Sequence, residues 1–292
     1  MRVRGCVTSV VIALAIVWTS DVTTSAGTRL QDPAGVTPEA VERTWIGPDG
    51  QPLPFRSDAE AIVFLSKARV VSKTTIGVGV NRAQQVLLER GGVRAHAIFR
   101  EVDIERDRTR VGPRFYFKFR DSYRHECAAY ALALQLGLDN IPPVVSRTID
   151  RQPGSLQLWV EDTRDETTRA FTPPDARAWV QQIWAMHLFD NLIFNVDRNA
   201  GNMLVGHDYE LWMIDHTRGF QIQRELLAPE KVVRVNRLTW ERLLGLTEEA
   251  LEPTLGEHIT GGQIRAILAR RDRLVERVEG LVAKAGDAAV FY

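Results

Sequence analysis

Along this chain the spacing of apolar residues changes character three times, and each change marks a different kind of structure. Val7 to Trp18 is almost unbroken apolar sequence, whereas residues 27–56 mix polar residues with closely spaced Gly and Pro and read as an irregular lead-in. From Asp58 to about Ser66, Ile62, Val63 and Leu65 give a short helix an apolar side, with Asp58 as its cap. Strand-like runs follow at Ala68 to Val71 and Thr75 to Val80, the second interrupted by Gly77 and Gly79. The segments 85–90 and 93–101 flank Gly91-Gly92, the two-residue signature of a tight hairpin. Arg114 to Arg120 alternates, which predicts a strand with Phe115, Phe117 and Phe119 on one face. A helix is expected from about Ser122 to Leu136, then a strand from Leu156 to Val160 entered through Gly154-Ser155.

From Ala176 onward the period is helical. Val180, Ile183, Trp184, Leu188 and Leu192 lie about one helical turn apart, and a last helix from about Gln263 to Lys284 carries Ile264, Ile267, Leu268, Val275, Val278 and Leu281 as one stripe. Its Arg270-Arg271-Asp272-Arg273 run reads as a solvated face, and Cys127 reads as a small buried hydrophobe. A strand-rich first half before a helical second half predicts an α+β protein in two lobes.

Composition narrows the function classes. The 292 residues are 45% hydrophobic and 25% charged, enough to bury a core. Lys+Arg and Asp+Glu number 37 each, so the net charge is zero, which argues against a broad electrostatic grip on nucleic acid or an anionic membrane. The two cysteines, Cys6 and Cys127, are too few for a disulfide framework or a cysteine metal site. Arg2 and Arg4 precede the largely apolar stretch of 12 residues from Val7 to Trp18, and Ala26 follows small polar residues. This predicts a signal peptide over residues 1–26 and export to the periplasm or beyond; the alternative is an N-terminal anchor at residues 7–18, although a bilayer span needs roughly 20 apolar residues.

The candidate chemistry lies in Phe189-Asp190-Asn191-Leu192-Ile193-Phe194-Asn195-Val196-Asp197-Arg198-Asn199-Ala200-Gly201-Asn202, followed by the apolar run Leu211-Trp212-Met213-Ile214 that delivers Asp215. Asp197, Asn202 five residues later and Asp215 at a strand end could each be a loop former or cap, but phosphoryl transfer explains all three together. One carboxylate orients the attacking hydroxyl, while a second carboxylate and an amide oxygen hold the Mg2+ or Mn2+ that bridges the phosphates of ATP. The D-x-x-x-x-N spacing matches the catalytic-loop pattern of protein kinases.

Taken with Trp212-Met-Ile-Asp215-His-Thr-Arg218, this segment resembles the atypical kinase superfamily, which holds the phosphatidylinositol kinases, HipA-type kinases and secretory-pathway casein kinases of the Golgi. The resemblance spans roughly residues 58–285 and implies a two-lobed kinase-like fold, with an N-lobe over 58–160 and a helical C-lobe over 161–292. It also implies roles. Asp197 resembles the catalytic-loop aspartate, Asn202 the metal-binding asparagine and Asp215 the metal aspartate, here followed by His216-Thr217-Arg218-Gly219-Phe220. Asp190 and Asn195 would brace the loop. His216 is either structural or a base or ligand.

Gly77 and Gly79 would let backbone N–H groups approach phosphate, or simply bend a strand. Glu126 resembles the helix glutamate that pairs with a phosphate-holding lysine. The cation expected on the hairpin's second strand is Arg100 instead, with Lys118, one of only five lysines in the chain, as the alternative. Backbone near Val160 and Glu161 is a candidate for adenine recognition.

The reading that follows is a metal- and ATP-dependent kinase acting on a hydroxyl of a protein, sugar or lipid head group. Two others stand beside it: a pseudokinase that binds nucleotide or a partner without turnover, and a metal-dependent hydrolase.

Overall fold

The hydroxyl of Ser57, one residue before the expected cap, accepts from the Glu60 N–H and opens the first helix, α1 (Asp58–Lys67). Asp58 takes another part: its carboxylate accepts from the Tyr130 hydroxyl at 3.2 Å. The structure, a computed structural model, describes residues 43–76, 83–165 and 173–292. The leader over 1–26 and the glycines at 77 and 79 therefore lie outside the described residues.

Five strands form an antiparallel sheet in the spatial order β1 (Arg69–Thr75), β2 (Gln84–Arg90), β3 (Val93–Arg100), β7 (Gln152–Leu158) and β6 (Val144–Ile149). β2 and β3 turn at Gly91-Gly92, where both residues hold the positive φ that the hairpin signature requires. A second glycine is fixed by proximity. A Cβ on Gly154 would sit 2.4 Å from the Arg100 carbonyl oxygen and 2.5 Å from the Phe99 ring, so β7 packs this closely on β3 only without a side chain. β7 starts earlier than the apolar run that predicted it, because its first residues are exposed and polar.

Between β3 and the next helix, β4 (Asp103–Val111) and β5 (Arg114–Ser122) form a separate two-stranded hairpin. β4 carried no strand signal, six of its nine residues being charged and exposed. The expectation for β5 needs correction. Lys118 takes φ 51°, which breaks the alternation, so Phe119 is buried while Phe115 and Phe117 stay more than half exposed. On the inner side Tyr116 and Phe119 pack with Phe194.

Helix α2 (Arg124–Leu136) ends at Gly137, whose φ of 69° allows the left-handed cap. Helix α3 (Ala176–Ile193) is capped by Asp175 and ends at Phe194, also left-handed. Two short strands, β9 (Met203–Val205) and β10 (Leu211–Met213), then pair antiparallel, with β8 (Arg164–Asp165) added beside β9. The chain closes with α4 (Arg237–Leu244), α5 (Glu248–Leu255), α6 (Gly261–Ala285) and α7 (Asp287–Val290). The fold is thus the expected α+β one, sheet-rich first and helical after.

One core cluster lies on the large sheet, between Phe64, Leu88, Phe99 and Leu156. The other gathers α2, α3 and α6 around Leu132, Phe189, Leu192 and Ile267. Within the second region the solvated-face reading of the arginine run is wrong for its first member. Arg270 is fully buried and donates to the carbonyls of Leu192 (2.7 Å), Gln221 (3.0 Å) and Gln223. Burial lowers its pKa to about 9, and three carbonyls take the place of water around the guanidinium.

Candidate active site

The end of α3 aims the polar loop. Phe194 reverses the chain in a left-handed cap, so that the Asn195 N–H returns to the Asp190 carbonyl at 2.9 Å. The Asn195 amide donates to the Asp190 carboxylate (3.1 Å), and its oxygen accepts from the Asp197 N–H (3.3 Å). Arg198 then ties the loop to the strand beyond it. Its guanidinium donates to Asp190 (3.0 Å) and to the carbonyls of Asn202 (2.6 Å) and Ile214 (2.9 Å). Asp190 and Asn195 therefore brace the loop from beneath.

Asn202 sits at the end of a short turn that Asn199 caps, and its amide donates to the Asp197 carbonyl at 2.9 Å. With that nitrogen engaged, the amide oxygen is the atom left to act as a ligand. The Ile214 N–H donates to the Asn202 carbonyl at 3.2 Å, which brings the residue before Asp215 onto the loop. Asp215 follows β10 with φ 55°, an unusual conformation for a non-glycine residue, and accepts from the Thr217 hydroxyl at 3.0 Å. Asp197, Asn202 and Asp215 are all part-exposed.

Behind them lies a buried charge relay. Glu126 on α2 and Arg100 on β3 are both buried, and Arg100 Nε lies 3.6 Å from Glu126 Oε1. The same carboxylate accepts from the His216 N–H at 3.0 Å and faces His216 Nδ1 at 3.3 Å. On the other side of the ring, Nε2 accepts from Arg198 at 2.9 Å. His216 thus has both ring nitrogens engaged and acts structurally, holding the segment after Asp215 to α2. Burial alone would raise the pKa of Glu126, but the Arg100 charge and the His216 bonds outweigh it and bring it down to about 2. Glu126 is therefore no solvated helix carboxylate. Lys118 points elsewhere, exposed and paired with Asp107 at 2.6 Å.

Sequence reasoning missed one cation. Arg218, three residues after Asp215, donates through Nε to Asp121 (2.8 Å) and through Nη1 to Asp197 (3.0 Å). Asp121, the last residue but one of the aromatic strand β5, is buried. Its only sequence signal was a carboxylate closing an apolar strand. Burial raises the Asp197 pKa, with Asp215 and Asp121 adding to the rise and Arg218 opposing it. Gln221 locks the same segment by accepting from the Arg120 N–H and donating to the Arg120 carbonyl.

Asp197 opens onto a cleft of about 470 Å³, walled by Tyr116 and the Gly112-Pro113 turn on one side and by His187, Leu227 and Lys231 on the other. Val160 and Glu161 border a separate cavity of about 680 Å³ with Trp45 and Trp212. There the Val160 carbonyl accepts from the Thr163 hydroxyl at 3.2 Å, and the Glu161 side chain pairs with His96 at 2.6 Å.

Two features fit a nucleotide with a divalent ion. Arg100 Nη1 is buried with no hydrogen-bond partner, a donor suited to a phosphate oxygen. No cluster of three or more His, Cys, Asp or Glu side chains is found among the described residues, and a divalent ion held by one carboxylate and one amide oxygen, as Asp215 and Asn202 would offer, needs none. Mg2+ and Mn2+ are commonly held this way, with phosphates and water completing the shell.

Solved structures show the same architecture. A hydra Fam20 solved with sugar matches with a TM-score of 0.62 and 16% identity, over 80% of this chain and 91% of that one. The Golgi casein kinase with Mn/ADP bound matches with a TM-score of 0.60 and 14% identity, over 80% of this chain and 78% of that one. No protein-family model and no curated protein matches the sequence.

Proposed function

On this atypical kinase-like fold, we propose that the protein is an ATP- and Mg2+- or Mn2+-dependent phosphotransferase acting on a hydroxyl acceptor. The observation that carries the reading is the buried Arg100–Glu126–His216 relay, which ends one residue from Asp215 and leaves Arg100 Nη1 without a partner. In this reading Arg100 binds phosphate oxygens, while Asn202 and Asp215 hold the metal through their side-chain oxygens. The metal, when bound, offsets charge on the phosphates. Asp197, facing the 470 Å³ cleft, orients the acceptor hydroxyl and receives its proton. Gly77 and Gly79, outside the described residues, would cover the phosphates. The lobes would run over 58–160 and 161–292. The neighbour with Mn/ADP bound supports nucleotide and metal use.

Export by the leader would place this activity where ATP is scarce. That, together with arginine in place of the lysine, favours the second reading, a pseudokinase that binds nucleotide without turnover. Among the described residues no helix is long and apolar enough to cross a membrane. Calorimetric titration of ADP with and without Mn2+ tests the shared part of both readings. Metal-dependent binding that is lost in Asp215→Ala and weakened in Arg100→Ala is expected. Binding indifferent to metal and to both substitutions would overturn both readings.

A further inference from the structure

The hairpin β4–β5 carries a surface that the proposed chemistry does not use. Its register sets Arg108 opposite Phe117 and Arg110 opposite Phe115, on the face away from Tyr116. Phe115 is 52% and Phe117 62% exposed. The Arg108 guanidinium lies 4.2 Å from the Phe115 ring centre and 5.8 Å from that of Phe117, and Arg110 lies 5.9 Å from Phe115. Other charges on this hairpin are matched: Glu105 pairs with Arg120, and Asp107 with Lys118. On this face Arg108 and Arg110 have no carboxylate partner among the described residues. In a chain of zero net charge this is a local concentration of positive charge around two exposed apolar rings.

The hairpin is firmly mounted. Its inner face packs Tyr116 against Phe194 at 6.1 Å between ring centres. Arg114 donates to the Leu227 carbonyl, and the Gln223 amide donates to that of Phe117. The outer face is therefore presented on a fixed support.

We infer that this face docks on an anionic lipid surface. An occupant must supply negative charge to the arginines and an apolar phase to the phenyl rings within one side-chain length. A purely acidic polypeptide such as polyglutamate supplies only the charge. A bilayer with anionic headgroups supplies both, the rings reaching below the phosphates while the arginines extend up to them. Because the Gly112-Pro113 turn and Tyr116 also wall the cleft before Asp197, docking holds that cleft at headgroup level. The inference does not depend on phosphotransfer.

The test is hydrogen exchange and vesicle co-sedimentation of the full chain, using phosphatidylcholine vesicles with and without phosphatidylserine. Slowed exchange over 103–122 with phosphatidylserine vesicles is expected. So is about tenfold or greater weakening of binding in the Phe115→Ser/Phe117→Ser double variant, together with loss of the phosphatidylserine preference in Arg108→Glu/Arg110→Glu. All four side chains are on an outer face, so the variants should keep their fold, checked by unchanged thermal unfolding. Vesicle binding that is equal in wild type and both variants, without protection over 103–122, would assign it to the leader and overturn the inference. So would protection of 103–122 by polyglutamate or a single-stranded oligonucleotide but not by vesicles.

Discussion

Arg218→Gln offers a sharp perturbation of the site, because it removes a charge that reaches two carboxylates while keeping a polar side chain of moderate length. The guanidinium bonds Asp121 at 2.8 Å and Asp197 at 3.0 Å. A hydrogen bond to a charged group contributes roughly 1.5–3 kcal/mol. The Arg218 side chain is 26% exposed and that of Asp197 31%, so solvent screening puts their bond at the lower end, about 1.5 kcal/mol. Where that bond fixes the Asp197 carboxylate for the acceptor, its loss slows transfer about tenfold. The bond to Asp121, whose side chain is only 2% exposed, belongs at the upper end of the range, costing about 2–3 kcal/mol of stability and lowering Tm by about 4–10 °C.

The assay is phosphoryl transfer from γ-labelled ATP at saturating nucleotide, with thermal unfolding alongside. The expected result is a fall in kcat with KM for ATP changed by less than about twofold, and partial recovery of an Arg218→Ala variant when guanidine is added. A variant that turns over as fast as wild type, or one whose loss lies wholly in KM for ATP, would refute the positioning role.

Three further outcomes follow from the same geometry. Glu126→Gln leaves Arg100 buried without its counter-charge; denaturant titration should show a loss of about 3 kcal/mol, and Mn2+–ADP binding should weaken. Gly154→Ala forces a Cβ against the Arg100 carbonyl and the Phe99 ring, and should destabilise by about 1–3 kcal/mol, read as a shift in the denaturation midpoint. Burial lowers the pKa of His125 to about 4, its neutral ring facing the Thr217 carbonyl and Gln263. Between the ordinary value near 6.5 and 4 the unfolded chain binds the extra proton, so this contribution is complete above about pH 6.5 and is lost as pH falls toward 4. It amounts to about 3 kcal/mol. His125→Gln should flatten the slope of stability against pH in that window, and an unchanged slope would contradict the assignment.

What the sequence revealed depended on whether a signal was local. The Gly91-Gly92 hairpin, α3 and α6 announce themselves through turn chemistry and helical period, and Asp197, Asn202 and Asp215 through spacing along one stretch of chain. Arg270 was legible and misread: it lies three residues after Ile267 and four before Leu274, on the buried stripe, yet its charge suggested solvent. β4 carried no pattern because none of its residues is fully buried, six of the nine being exposed and three half-buried. The Arg218–Asp121 pair joins positions 97 residues apart. No local pattern encodes such a contact. The same holds for Glu126, whose burial against His216 comes from the packing of α2 beneath the strand end that carries Asp215.

The central claim is that Asp197, Asn202 and Asp215 serve one phosphoryl transfer. It is tested most directly by incubating the purified chain with γ-labelled ATP and Mg2+ or Mn2+, and measuring phosphate release and self-labelling beside Asp197→Ala, Asn202→Ala and Asp215→Ala. The account predicts metal-dependent turnover in the wild type. Asp197→Ala should abolish it while sparing nucleotide binding, whereas Asn202→Ala and Asp215→Ala should lose turnover and metal-dependent binding together. Turnover that survives in Asp197→Ala and Asp215→Ala, or a wild type that neither binds nor turns over ATP, would contradict it.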